Sequence, residues 1–160
     1  MFKIHIICVG NLKEKYLKDG CLEYIKRLSS YCKLSIVQVD EYKVPNNPSD
    51  SEITTAIKAE GKRIISKISS ESFVVSLCIE GNMISSESLS KKINELSIYG
   101  KSDITFIIGG SFGLSGEVKN MSNFKMSLSK MTFTHQMTRM ILLEQIYRSF
   151  QILNSGKYHK

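Results

Sequence analysis

Three apolar, mostly β-branched runs constrain the fold of this chain more than any other feature. They lie at residues 2–9, 73–79 and 104–108 and read FKIHIICV, FVVSLCI and ITFII. Strands that are apolar on both faces are typical of parallel sheets covered by helices on both sides. The longer stretches between these runs have helical apolar spacing. The sequence therefore predicts an α/β fold with a mostly parallel sheet flanked by helices.

The remaining elements follow from shorter patterns. Alternation predicts strands at 34–39 and 125–128, and apolar spacing predicts helices at about 12–31, 51–69, 85–99, 115–121 and 134–153. In the second helix we expect Glu52, Lys58, Glu60 and Lys62 to face solvent. Residues 40–50 hold both prolines and are predicted to form a loop. No linker, repeat or change of composition divides the 160 residues, which we expect to form one domain.

The last helix is apolar on nearly all sides. Its sequence, THQMTRMILLEQIYRSFQIL, leaves little polar surface, and a helix of this kind is buried on most sides. Because a terminal helix usually packs on one face only, we expect a second subunit to supply part of that burial. The alternative is a central helix within the monomer.

Several classes of protein are excluded or disfavoured. No apolar run approaches the roughly 18 residues of a membrane span, and the N-terminus lacks a signal-peptide pattern, so a cytoplasmic protein is expected. The four cysteines form no CxxC pair and are expected to be reduced and mostly buried. The three histidines are scattered, so no metal site is predicted.

Positive charge is concentrated at one end of the chain. The net charge is +7, and residues 119–160 hold seven Lys and Arg against Glu144 alone, which is 7 − 1 = +6. The first 118 residues are nearly neutral. Such a basic end favours binding to a polyanion such as nucleic acid, although a basic surface without a specific partner is equally compatible with charge alone.

Ligands of parallel sheets bind beyond the carboxyl ends of the strands, so the loops after Ile79, Ile108 and Leu128 are the candidate site. The second of these loops begins GGSFGLSG at residues 109–116. It is neither a dinucleotide fingerprint nor a Walker A loop. Its glycines indicate either close approach of backbone to a ligand or a tight turn.

Four polar residues, His135, Arg139, Glu144 and Arg148, interrupt the apolar last helix. Each needs a partner or a functional site. The two arginines could hold phosphate. Glu144 and Arg148 are four residues apart, so a simple ion pair is as plausible as a catalytic role. The tail, GKYHK at 156–160, either frays or folds over a site.

Taken in order, these segments are specific for one family. The sequence resembles the RlmH (YbeA-like) family, the ribosomal RNA large subunit methyltransferase H proteins of the SPOUT superfamily. The resemblance spans the whole chain and rests on Val9-Gly10, KEKY at 13–16, LCIEG at 77–81, FIIGG at 106–110 with Gly113, LSKMTF at 128–133, His135, Arg139, EQIYR at 144–148 and YHK at 158–160.

The resemblance implies a C-terminal trefoil knot, a homodimer, and methyl transfer from S-adenosylmethionine (SAM) to N3 of a pseudouridine in 23S rRNA on the assembled ribosome. No metal or membrane is implied. By the same resemblance, SAM would contact Leu77, Gly109, Leu128, Ser129, Lys130, Met131, Thr132 and Phe133. The sequence departs from the family at Thr134, where Pro is common, and Phe112 fills a variable position.

Methyl transfer to an imide N3 requires a proton acceptor. The candidates are His135 and Glu144 near the expected SAM loop, and Tyr158 and His159 from the partner's tail. The sequence does not rank them. Arg148 is expected to contact phosphate or a developing oxyanion.

Two other functions remain open from the sequence. A non-catalytic basic module for ribosome binding or assembly would have no affinity for SAM. A small-molecule oxidoreductase would use the glycine loop for a dinucleotide, but the missing fingerprint and the basic C-terminal end argue against it.

Overall fold

Five parallel strands alternate with five helices in a computed structural model that describes all residues from 1 to 160. The elements are β1 (Phe2–Val9), α1 (Lys15–Leu28), β2 (Cys32–Val39), α2 (Asp50–Ile65), β3 (Phe73–Met83), α3 (Ser86–Ile98), β4 (Asp103–Ile108), α4 (Gly116–Met121), β5 (Phe124–Ser127) and α5 (His135–Leu153). The sheet order is β2-β1-β4-β3-β5, and every pairing is parallel. The predicted α/β fold with a parallel sheet is confirmed.

Helices cover both faces of the sheet. On one face, α1, α3 and α5 bury the larger core, in which Ile4, Ile6 and Phe106 are fully inaccessible to solvent. On the other face, α2 and α4 pack through Ile64 and Val118. This two-sided burial explains why β1, β3 and β4 are apolar with little alternation.

The helix starts are set by hydroxyl side chains. Ser49, Ser85, Ser115 and Thr134 each occupy the N-cap and accept a hydrogen bond from a backbone N–H in the first turn. Such caps satisfy amide groups that have no partner within the helix. Thr134, the departure from the family pattern, therefore fixes the start of α5 through its own side chain.

Strand β3 extends four residues beyond the predicted end at Ile79. Its pairing with β5 shifts register between Leu77 and Asn82. A Cβ at Gly81 would lie 2.8 Å from backbone atoms of Lys125 and Met126, so the two strands approach too closely there for a side chain. Residues 78–80 of β3 lie in this irregular part of the strand, at the carboxyl end of the sheet, where the candidate site lies.

Helix α5 is central within the single chain. It packs between α1 and α3, and Leu142, Leu143, Ile146 and Phe150 are buried in the core of the same molecule. No second subunit is needed to bury these four residues, whereas the expectation that a second subunit supplies part of the burial of α5 stays a prediction for the rest of the helix. The apolar pattern of α5 predicts that the helix is buried, but it does not predict whether the same chain or a second subunit covers it.

The structure corrects one further expectation. Glu60, expected on the solvent side of α2, is 4% exposed, because the loops after β2 and β4 close over this part of the helix. No helix combines the length and apolar character that crossing a membrane would require.

Candidate active site

A cavity of about 780 Å³ opens at the carboxyl edge of the sheet. Three segments form it: the end of β3, the glycine loop between β4 and α4, and the connection between β5 and α5 with the first turn of α5. Two of them are the loops after Ile108 and Leu128 that the sequence indicated, whereas the expected loop after Ile79 is part of β3. The volume lies within the range of small-molecule sites.

Seven of the eight residues expected to contact SAM line this cavity. They are Leu77, Gly109, Leu128, Ser129, Met131, Thr132 and Phe133. Lys130 lies in the same segment but is exposed and does not line the cavity. Residues that are far apart in the sequence are therefore brought together at one site.

The glycine loop forms a wall made of backbone. A Cβ at Gly109 would lie 2.8 Å from the carbonyl carbon and oxygen of Gly113, and Gly113 itself has a φ of +85°. Position 109 has no room for a side chain, and position 113 adopts a backbone conformation that favours glycine. The loop therefore exposes peptide groups, which suit recognition of a ligand by backbone hydrogen bonds.

Polar groups stand at the margin of the cavity. Lys119 from α4 forms an ion pair with Glu80, and this contact lowers the pKa of the Glu80 carboxyl. Cys78 also lines the cavity, and burial raises the pKa of its thiol, which disfavours a reactive thiolate. Sequence analysis missed Lys119 and Glu80 as neighbours because only the fold brings α4 against β3.

His135 is the one candidate proton acceptor that lines the cavity. Partial burial, with smaller effects from nearby Arg139 and Lys13, lowers the pKa of its imidazole, although Glu41 opposes the shift. Its Nε2 lies 3.7 Å from the point where a Cβ on Gly10 would be. At neutral pH this imidazole is uncharged and can accept a proton.

The other three candidate proton acceptors form a separate cluster with Arg148 on α5 and the tail, and none of the four lines the cavity. They are Glu144, Tyr158 and His159. Glu144 Oε1 accepts hydrogen bonds from Arg148 Nη2 at 2.6 Å, Arg148 Nε at 3.0 Å and Tyr158 OH at 2.9 Å. Burial, a contact with Tyr24 and the Glu144 carboxylate raise the pKa of the Tyr158 phenol well above its usual range. The ion pair anticipated from the spacing of Glu144 and Arg148 is present.

The same cluster holds the end of the tail. Arg148 Nη1 lies 3.1 Å from His159 Nδ1, and His159 Nε2 lies 2.8 Å from Glu87 Oε1 of α3. Because a guanidinium can only donate, Nδ1 is the acceptor and Nε2 carries the proton given to Glu87. The tail is thus folded against its own α3 and α5.

Arg139 is buried and connects α5 to the sheet. It is 3% exposed, donates to the Gly10 carbonyl oxygen at 3.0 Å and to Gln38 Oε1 at 3.3 Å, and so ties α5 to the ends of β1 and β2. The expectation that it could hold phosphate is wrong, because its guanidinium does not reach the surface.

Four lysines of the basic C-terminal region, Lys125, Lys130, Lys157 and Lys160, remain exposed. Lys119 and Arg148 are paired with carboxylates. The positive surface that a polyanion would meet is therefore smaller than the sequence count suggests.

Comparison with known proteins agrees with this fold and site. Residues 2–159 match the family described as "Predicted SPOUT methyltransferase", which places the chain in that class of enzyme. The chain is 49% identical over 158 residues to the ribosomal RNA large subunit methyltransferase H of Carboxydothermus hydrogenoformans, covering 99% of each. A Methanococcus maripaludis protein that carries the same name provisionally is 57% identical over 157 residues, or 98% of this chain and 99% of the relative. The chain therefore belongs to the ribosomal RNA large subunit methyltransferase H family.

A solved structure of a probable methylase family protein from Haemophilus influenzae Rd KW20 has the same type of fold. It aligns with a TM-score of 0.54 over 98% of this chain and 70% of that one, at 14% identity. At this identity the similarity concerns the fold alone.

Proposed function

We propose that this protein transfers a methyl group from SAM to N3 of a pseudouridine in 23S rRNA, on the large ribosomal subunit or the assembled ribosome. The observation that carries the proposal is the convergence of Leu77, Gly109 and the segment 128–133 on one cavity at the carboxyl edge of the sheet. The relatives named as ribosomal RNA large subunit methyltransferase H support the rRNA substrate.

The residues present fit SAM as a ligand. The backbone of Gly109 and of residues 128–133 would bind its polar edges, and Leu77, Leu128 and Phe133 would form apolar walls around the adenine. When bound, the sulfonium of SAM supplies a methyl group already activated for transfer. The protein therefore has to align the base and remove one proton.

His135 and the Glu144 cluster would have different roles in removing the proton and aligning the base. The uncharged His135 at the cavity is placed to accept the proton from the N3–H of the base. Glu144 already accepts from Arg148, Tyr158 and Gln145, so its carboxylate orients the cluster. Arg148, held by Glu144, would contact RNA phosphate or the base oxygen that gains negative charge. The tail candidates Tyr158 and His159 would position the base or relay its proton.

A homodimer would bring together the cavity that holds His135 and the cluster around Glu144. The outer side of α5 carries Met137, Ile141 and Ile152, which are half-buried and are not packed in either core cluster. They lie on the side of α5 that carries Glu144 and Arg148, as expected from a spacing of three or four residues. Pairing of two copies through this side would bring the tail cluster of one subunit to the cavity of the other.

The whole chain, residues 1–160, would act as one cytoplasmic SPOUT domain with a C-terminal trefoil knot. Strand β5 lies at the sheet edge beyond β3, whereas α5 packs between α1 and α3. Residues 128–134 therefore return from the edge strand to a helix that packs between α1 and α3. Such a return path is in keeping with the knot implied by the family resemblance.

Titration calorimetry with SAM separates this function from a non-catalytic ribosome-binding module. The enzyme is expected to bind one SAM per chain with micromolar affinity, typical of cofactor sites, which corresponds to about −8 kcal/mol. Binding to ribosomal particles without any affinity for SAM would favour the non-catalytic module. NADH serves as the control ligand, and tight NADH binding would favour the oxidoreductase alternative.

Light scattering tests the dimer independently. We expect Ile141→Asp to shift the protein toward a folded monomer, because Ile141 lies outside the core clusters. Ser51→Asp, at an exposed position of α2, should leave the dimer intact. A wild-type protein that is monomeric at micromolar concentration would contradict the proposed assembly.

A further inference from the structure

Glu60 is a buried acidic residue for which the proposed reaction has no direct use. Its side chain is 4% exposed, and burial, reinforced by nearby Glu41, raises the pKa of its carboxyl. A buried carboxyl group is unfavourable unless its interactions compensate for lost hydration. Glu60 forms no ion pair, so its position calls for a different explanation.

The carboxyl group of Glu60 touches two loops at once. Its Oε2 accepts a hydrogen bond of 2.9 Å from the backbone N–H of Tyr42, in the loop after β2. Its Oε1 lies 3.3 Å from the point that a Cβ on Gly110 would occupy, and Val9 lies 3.1 Å from that same point. Gly110 is therefore enclosed between β1 and Glu60.

Gly61, the residue after Glu60, also contacts the glycine loop. A Cβ on Gly61 would overlap Ser115, whose hydroxyl caps α4, so helix α2 lies directly against the far end of the glycine loop. Helix α2 thus supports this loop at both Gly110 and Ser115. The opposite side of the loop, from Gly109 to Leu114, lines the candidate SAM cavity.

We propose that Glu60 is a positioning residue for the SAM site, which acts by holding the glycine loop against α2 from behind. The inference rests on the proposed function, since it takes the cavity to be the SAM site. Glu60 does not touch the ligand. It fixes the backbone whose peptide groups bind SAM, in the way that surrounding residues hold other preorganised sites.

Three substitutions separate this role from simple stabilisation. Glu60→Ala removes the contacts, Glu60→Asp keeps the charge but withdraws the carboxyl group by one methylene, and Glu60→Gln keeps both length and an acceptor for Tyr42. Lys58→Ala, at an exposed position of the same helix, is the matched control. SAM affinity is measured by calorimetry at a temperature where circular dichroism shows each variant to be folded.

We expect Ala and Asp to weaken SAM binding about tenfold, a change that shifts of under 1 Å in a site can produce, and Gln and the control to bind as wild type does. Hydrogen exchange without SAM supplies a second readout. Amides 109–116 should exchange faster in the Asp variant, whereas amides 128–133 should not change.

Failure of the proposal is distinguishable from failure of the proposed function. A wild-type protein that does not bind SAM removes the function, whereas the exchange result still tests the contact of Glu60 with the loop. If wild type binds SAM and the folded Asp variant binds it equally well, with unchanged exchange in residues 109–116, the positioning role is refuted.

Discussion

The Tyr158 hydroxyl donates a 2.9 Å hydrogen bond to Glu144 Oε1, which fastens the C-terminal tail to the middle of α5. The Tyr158 ring also packs on Tyr147, with ring centroids 4.9 Å apart, and under the Arg148 guanidinium at 4.8 Å. The tail is therefore ordered by specific contacts and is not a frayed end. None of these contacts involves the cavity of the same chain.

Deletion of Tyr158 to Lys160 should separate SAM binding from methyl transfer. Because the tail does not line the cavity of its own chain, the truncated protein should remain folded and dimeric and bind SAM as before. Methyl transfer should fall by at least about 100-fold, the usual contribution of a positioned proton-transfer group. Single-turnover transfer of labelled methyl to ribosomes measures the loss.

Removal of Lys160 alone is the control for this deletion, since this exposed residue has no contact in the cluster. Full activity in the longer truncation would eliminate the tail as a catalytic element. His135, Glu144 and Arg148 would then be the remaining candidates.

Gly109→Val should weaken SAM binding with little effect on the rest of the fold. The added side chain would overlap the backbone of Gly113 and force the glycine loop away from its present course. Calorimetry should show affinity reduced by more than about tenfold, equivalent to at least 1.4 kcal/mol. Gly116→Ala, where a Cβ meets nothing within 4 Å, should bind normally. Unchanged affinity in a folded Gly109→Val protein would place the SAM site elsewhere.

The charge of His135 should set the acid limit of SAM binding. Burial holds the pKa of this imidazole below its ordinary value of 6.5, so the ring is mostly uncharged at pH 6.5 and gains its proton only on further acidification. Once protonated, the ring would repel the sulfonium. SAM affinity should therefore be constant between pH 8 and 6.5 and weaken on further acidification. His135→Gln should remove this dependence. His5→Gln, whose imidazole lies against Asp103 and outside the cavity, should retain it.

Glu60→Gln should stabilise the protein at neutral pH. The pKa of the Glu60 carboxyl is raised in the folded state above its ordinary value of 4.5, so its favourable contribution is complete below 4.5 and is lost as pH rises through the folded-state value. Gln has no such loss. Urea unfolding at several pH values should show the variant's advantage growing from pH 4 to pH 7. A constant difference across that range would show that the folded and unfolded pKa values are equal.

Much of the architecture is predictable because it depends on local pattern. The runs at Phe2–Val9 and Asp103–Ile108 are apolar enough to require burial on both faces, and Ser85 and Ser115 mark helix starts by their capping chemistry. The candidate cavity follows from one further rule, that the carboxyl ends of parallel strands meet at one edge.

What the sequence does not predict depends on contacts between distant segments. Glu60 lies on a helix where spacing suggests exposure, and only the approach of Tyr42 and Gly110 buries it. Arg139 has the side chain of a phosphate ligand, but the fold buries it against the carbonyl of Gly10. The periodicity of α5 likewise records apolar faces but not that α1 and α3 of the same chain cover them.

Methyl transfer to ribosomes lacking the modification tests the central claim most directly. Purified protein, labelled SAM and ribosomal particles from a strain without the enzyme are combined, and the 23S rRNA is digested and analysed by mass spectrometry. We predict one methyl group per particle, located at N3 of a single pseudouridine, and none with Gly109→Val protein. Absence of label from 23S rRNA, with wild-type protein that binds both SAM and ribosomes, would contradict the proposed reaction.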